Sequence, residues 1–182
     1  MTIQPEHQQW GHYPHIREQL IGLVIDFVEA AIVIPGVKRI ALIGSLATEK
    51  PDPKDADVLV WVSDDADLAP LARVSRKLLG RAQSLNHGGE VFLSDTNGKY
   101  IGRICHWKEC APGIRVRCDA LNCGKRKYLH DDLNTVKLSD NLIANPPIDI
   151  WPVFTARVPV PNDVASAVSR LPYNSVAKQD SH

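Results

Sequence analysis

Residues 38–62 read KRIALIGSLATEKPDPKDADVLVWV, and the fold follows from how this stretch is understood. An apolar run, Ile40-Ala41-Leu42-Ile43, ends in Gly44-Ser45. A polar, proline-bearing loop leads to Asp55-Ala56-Asp57, which opens a second apolar run from Val58 to Val62. The pattern predicts two buried strands joined by a loop. Side chains alternate faces along a strand, so Asp55 and Asp57 project on the same side with Cβ atoms roughly 6–7 Å apart. Two carboxylates at that separation can grip one or two divalent cations. Gly44 allows a tight turn and a close backbone approach to a phosphate, and Ser45 adds a hydroxyl beside exposed N–H groups. A phosphate anchor and a carboxylate pair on one loop are the working parts of phosphoryl or nucleotidyl transfer. The plainer reading is a connecting loop whose aspartates solvate the start of the second strand.

The flanking sequence supplies helices and further strands. Ile16, Leu20, Val24, Phe27, Val28 and Ala31 recur at helical spacing within 15–34, and Pro35-Gly36 stops that helix. Asp64-Asp65-Ala66-Asp67 suits a helix start, and Leu68, Leu71, Val74, Leu78, Ala82 and Leu85 mark its apolar stripe. Arg73, Arg76, Lys77 and Arg81 fall elsewhere, a solvated face or a surface for nucleic acid. Gly88-Gly89 ends the helix. Residues 90–94 and 100–104 are predicted strands joined across Asp95-Thr96-Asn97-Gly98, whose Asn-Gly is a hairpin signal. A last strand is expected over 113–121, with Arg115, Arg117, Asp119 and Leu121 on the face away from the core. The fold class expected is α/β, a mixed and mostly antiparallel sheet with helices packed on one face.

Gly44-Ser45, nine intervening residues, then Asp55-x-Asp57 and an apolar strand resembles the signature of the DNA polymerase beta-like nucleotidyltransferase superfamily. The resemblance spans about residues 38–121 and implies a small, minimal nucleotidyltransferase palm. It implies transfer of a nucleoside monophosphate from a nucleoside triphosphate to an acceptor hydroxyl on a protein, RNA or small molecule. Asp55, Asp57 and a third carboxylate, taken as Asp119, would act as catalytic residues holding two Mg²⁺ ions, with Mn²⁺ as a substitute. Asp119 is preferred to Asp95, which lies in a turn, and to Glu90, which begins an earlier strand. Gly44, Ser45, Lys50 and Arg117 would bind the nucleotide phosphates. The sequence departs from the pattern after Ala47: Thr48 and Glu49 stand where many small members carry an arginine and a glycine. That departure supports an alternative, a catalytically silent domain of the same type binding nucleotide, RNA or a partner protein.

The chain has 182 residues, 44% hydrophobic and 23% charged, which suits one folded domain with a tail. Lys plus Arg equals Asp plus Glu at 21 each, so no global basic field argues for nucleic acid. Residues 1–13 lack the charged start and apolar core of a secretory signal, and Asp26 and Glu29 interrupt the most apolar stretch. A cytoplasmic location and no membrane partner are expected. Cys105-x4-Cys110 and Cys118-x4-Cys123 bring zinc to mind. In a regular hairpin, however, Cys118 would lie about 17 Å down the strand from Cys105, so zinc is not expected. Residues 1–144 are taken as the nucleotidyltransferase-like domain. Residues 145–182 are taken as a proline-rich segment wrapping it, with Ile148, Ile150, Trp151 and Phe154 as anchors and a short helix after Asn162-Asp163.

Overall fold

The two apolar runs pair as expected. Strand β1 (Val37–Ile43) and strand β2 (Asp57–Val62) run antiparallel, with Ile43 opposite Asp57 and Ile40 opposite Val60. The computed structural model describes residues 15–110 and 118–173 of the chain. Both strands are buried almost throughout because both faces of the sheet are covered there. Ile40, Leu42, Val58, Val60 and Val62 join the larger core beneath the helices, whereas Ala41, Ile43, Leu59 and Trp61 join a smaller one on the opposite face. Burial on both sides is what removes the polar alternation from the two runs.

Helix α1 (Ile16–Ala31) precedes β1, and helix α2 (Ala69–Ser84) carries the chain from β2 to β3 (Val91–Ser94). That crossover makes β2 and β3 parallel, with Val58 beside Val91. A tight turn then leads to β4 (Tyr100–Ile104), where Asp95 accepts hydrogen bonds from the Asn97 and Lys99 N–H groups and Gly98 takes φ +83°. Strand β5 (Leu129–His130), helix α3 (Asp140–Ala144), strands β6 (Ile148–Trp151) and β7 (Thr155–Ala156), and helix α4 (Asn162–Ser169) complete the described elements. The sheet order is β5-β4-β3-β2-β1-β6-β7, antiparallel at every described neighbour pair except β2–β3. The expected α/β class, with its mixed and mostly antiparallel sheet, is therefore what the chain adopts. No described helix is long and apolar enough to cross a membrane.

Three local expectations change. Helix α2 begins at Ala69 rather than near Asp64, because the Ala66 N–H closes a turn on the Ser63 carbonyl and Asp67 accepts from the Ala69 N–H. Residues 118–121 are not a strand: the Leu121 N–H reaches the Asp131 carbonyl, and Asn122 donates from both its backbone and its side chain to the Asp131 carboxylate. The rest of the expected strand, including Arg117, lies outside the described residues. The partner of β4 is β5 instead.

The C-terminal segment does more than wrap. Strand β6 enters the sheet beside β1, Ile148 opposite Leu42 and Asp149 opposite Ala41, with Ile148 and Ile150 fully buried. The buried Asp149 carboxylate is held by Arg39 at 2.6 Å and Arg157 at 2.7 Å, which satisfies a charge that would otherwise oppose burial. Helix α4 packs beside α1 on the main core. Short α3 roofs the other face through Ile143, so α1, α2 and α4 keep to one side while the opposite side is only partly open.

Candidate functional site

The end of β1 turns sharply at Gly44, whose φ of +71° favours a residue without a Cβ. A Cβ there would also stand 3.1 Å from Asp57 Oδ2, so glycine lets the turn press against that carboxylate. A 3₁₀ turn over Gly44–Ala47 follows, and Ser45 Oγ accepts from the Lys54 N–H at 3.2 Å. Arg17 secures this loop from α1. Its buried guanidinium donates to the Leu46 carbonyl at 3.0 Å and the Lys50 carbonyl at 2.9 Å, while pairing with Asp163 of α4 at 2.5 Å. The Lys50 side chain is exposed, so only its backbone is fixed.

On the far side of the loop, the Ala56 N–H donates to the Gly88 carbonyl and the Val58 N–H to the Glu90 carbonyl, both at 3.0 Å. This short parallel ladder lays Gly88-Gly89-Glu90 beside Asp55-Ala56-Asp57. A Cβ on Gly88 would overlap Asp55 Oδ1, so glycine is required for the approach. The Glu90 N–H donates to Asp57 Oδ1 at 3.1 Å. Burial first, then the Asp55 charge, with the Glu90 charge adding less, push the Asp57 carboxyl up to about 6 against the Glu90 N–H.

Glu90 connects this trio to a second polar group. Its Oε1 lies 3.2 Å from the Arg103 guanidinium, which also holds the fully buried Asp132 at 2.5 Å. Its Oε2 lies 3.3 Å from His106 Nε2, yet is secluded from solvent and has no hydrogen bond among the described residues. Beyond Asp132, His130 Nε2 contacts Asp119 Oδ1 at 2.7 Å. Asp119, His130 and Asp132 place one ligand-type atom each within 4.8 Å of one another.

The structure thus gathers Gly44, Ser45, Asp55 and Asp57 as the sequence suggested. The acid hydrogen-bonded through its backbone to Asp57 is Glu90, whereas Asp119 belongs to the His130 and Asp132 group. The sequence did contain the signal for Glu90: a Gly-Gly-Glu opening the strand that a helical crossover lays parallel to β2. Arg17 carried no such signal, since it sits on an apolar helix like any surface arginine. Asp55, Asp57 and Glu90 offer the hard oxygen donors that a divalent cation such as Mg²⁺ takes. Among the described residues, however, the group whose ligand atoms already lie within 4.8 Å of one another is Asp119, His130 and Asp132. Compared with protein-family models, with curated proteins and with solved structures, the chain gives no significant match to any of the three.

Proposed function

We propose that the protein is a metal-dependent nucleotidyltransferase, moving a nucleoside monophosphate from a nucleoside triphosphate to an acceptor hydroxyl on a protein, RNA or small molecule. The observation that carries this reading is the position of Asp57: pressed by the Gly44 turn, facing Asp55, and bonded to the backbone of Glu90. Burial, with the Asp55 charge and a smaller part from Glu90 added to it, raises the Asp57 carboxyl to about 6, and a divalent cation would relieve the repulsion among these acids.

Asp55, Asp57 and Glu90 would hold Mg²⁺, with Mn²⁺ as a substitute. Such ions neutralise charge on a departing pyrophosphate and lower the pKa of an attacking hydroxyl. Gly44 and Ser45 present the turn against which a β- or γ-phosphate would rest. Arg17 keeps that turn in place by binding its carbonyls, acting as a positioning residue. Lys50, exposed on the same loop, is free to swing toward phosphate. Asp119 and Arg117 remain candidates for orienting the acceptor, from the polypeptide that continues past β4.

A second reading, nucleotide binding without turnover, draws support from Glu90, whose carboxylate already faces Arg103 and His106. Calorimetry with Mg²⁺ and ATP on wild type, Asp57→Ala and Glu90→Gln separates the possibilities. Nucleotide binding that requires metal and is lost in Asp57→Ala supports the transferase, and a radiolabelled-triphosphate screen against cell extract then reveals the acceptor. Binding indifferent to metal and to both substitutions defeats it.

A further inference from the structure

The described residues between β4 and β5 add almost nothing to the apolar core. None from 106 to 110 or from 118 to 130 is buried, and Trp107 and Leu121 stand well exposed. Besides the partial packing of Tyr128 and Leu129 on the core and the Arg126 bonds to the Ser63 and Ala66 carbonyls, β5 is held by the Cys105 N–H to Tyr128 carbonyl bond at 2.8 Å and its short ladder with β4. A segment this poor in burial needs another source of order, and small modules commonly obtain it from a metal or from disulfides.

The four cysteines of the chain lie in or beside this segment, and no disulfide joins any of them. Cys105 follows β4, its backbone N–H on the Tyr128 carbonyl. Cys118 approaches from the other side, its Sγ 3.9 Å from His130 Nδ1. The turn after it is moored by Asn122 on Asp131, next to His130, and this sets Cys123 beside Cys118. Burial first, then Cys118, with the Cys110 and Cys105 charges adding less, push the Cys123 thiol up. The separation that argued against zinc assumed that residue 118 continued a regular hairpin. The chain at 121–122 instead folds back on Asp131, which lays the Cys118–Cys123 turn alongside β5, where the Cys105 N–H is also bonded.

We propose that Cys105, Cys110, Cys118 and Cys123 form a four-thiolate zinc site that fastens the β4–β5 segment to the sheet. Four soft sulfurs from two loops are the donor set of a closed, structural zinc centre. Four thiolates around one dication leave a net negative centre, and its neighbours suit that charge. His130, braced by Asp119 at Nε2, points Nδ1 at Cys118, a carboxylate–imidazole–ligand relay of the kind that orients metal thiolates. Lys125 and Lys127 come shortly after Cys123 in the chain. The site shares no residue with the Asp55–Asp57–Glu90 group and does not depend on the transferase reading.

Metal analysis of the full chain, purified reduced and without a chelating tag, tests this. The expected result is about one zinc per chain, lost in Cys118→Ser and in Cys123→Ser, with a cobalt-substituted form showing the intense visible absorption of tetrahedral thiolate coordination. Thiol titration of wild type provides the readout should those variants fail to fold: the four cysteines resist modification until a chelator is added. Zinc-free protein that takes up none from added Zn²⁺, thiols that react equally with and without chelator, or zinc retained by Cys105→Ser and Cys110→Ser but lost in His130→Ala would each overturn the assignment.

Discussion

Asp57→Asn should stabilise the metal-free protein while abolishing its response to Mg²⁺. Asparagine preserves the shape and the Oδ1 acceptor for the Glu90 N–H, so the substitution removes only the charge. In the folded chain the Asp57 carboxyl titrates near 6 instead of its ordinary 3.8. Between those values the folded state holds a proton that the unfolded state has released. The contribution of this group to stability therefore falls as pH rises through the window, and its full cost is felt above about 6. At 1.36 kcal/mol per unit the ceiling is about 3 kcal/mol, and the partial exposure of Asp57 reduces that to roughly 1–2 kcal/mol. For a chain of this size the corresponding rise in Tm is on the order of 3–6 °C. Thermal unfolding of both proteins in the presence of a chelator should show the variant ahead at about pH 7.5 and level with wild type near pH 4. Added Mg²⁺ should raise the Tm of wild type alone. A variant less stable than wild type at neutral pH, or equally responsive to Mg²⁺, would refute the idea that Asp57 sits in a repulsive, cation-seeking cluster.

Gly88→Ala forces a Cβ onto Asp55 Oδ1, so Mg²⁺ affinity should fall at least as far as stability does; unchanged metal titration would show that Asp55 is not a ligand. Asp163→Ala leaves the Arg17 guanidinium buried without its carboxylate, and a loss of about 2–4 kcal/mol in urea unfolding is expected. Limited proteolysis should then cut first within 46–54, and an unaltered cleavage pattern would count against the role given to Arg17. The Tyr100 hydroxyl is buried without a hydrogen-bond partner among the described residues, and burial pushes its ionisation up to about 12. Tyr100→Phe should thus be neutral or stabilising by up to about 1 kcal/mol; a clear loss in the denaturation midpoint would reveal a partner for that oxygen.

What was legible in the sequence was local. The bounds of β1, the Asn-Gly turn before β4 and the shared face of Asp55 and Asp57 all follow from periodicity and turn chemistry within a dozen residues. What was illegible came from distant pairings. Strand β6 hides among prolines, and its Asp149 looks like an exposed acid until Arg39, more than a hundred positions earlier, is brought against it. Alternation over 113–121 promised a strand, but residues 118–121 form none, and the Leu121 N–H bonds the Asp131 carbonyl instead. Glu90 lost to Asp119 because a strand's first residue seemed too early for a site; only the parallel lie of β3 on β2 explains its place.

The bond between Arg17 and Asp163 spans 146 positions, and it fixes when this protein can mature. During synthesis the glycine–serine bend emerges more than a hundred residues before the acid that braces its anchor. Strand β6 likewise reaches the flank of β1 only after β2, β3, β4 and β5 have been made. Until then β1 offers an uncovered hydrogen-bonding edge to its surroundings. A message cut short after residue 144 would yield a nascent product prone to clumping rather than a smaller working version.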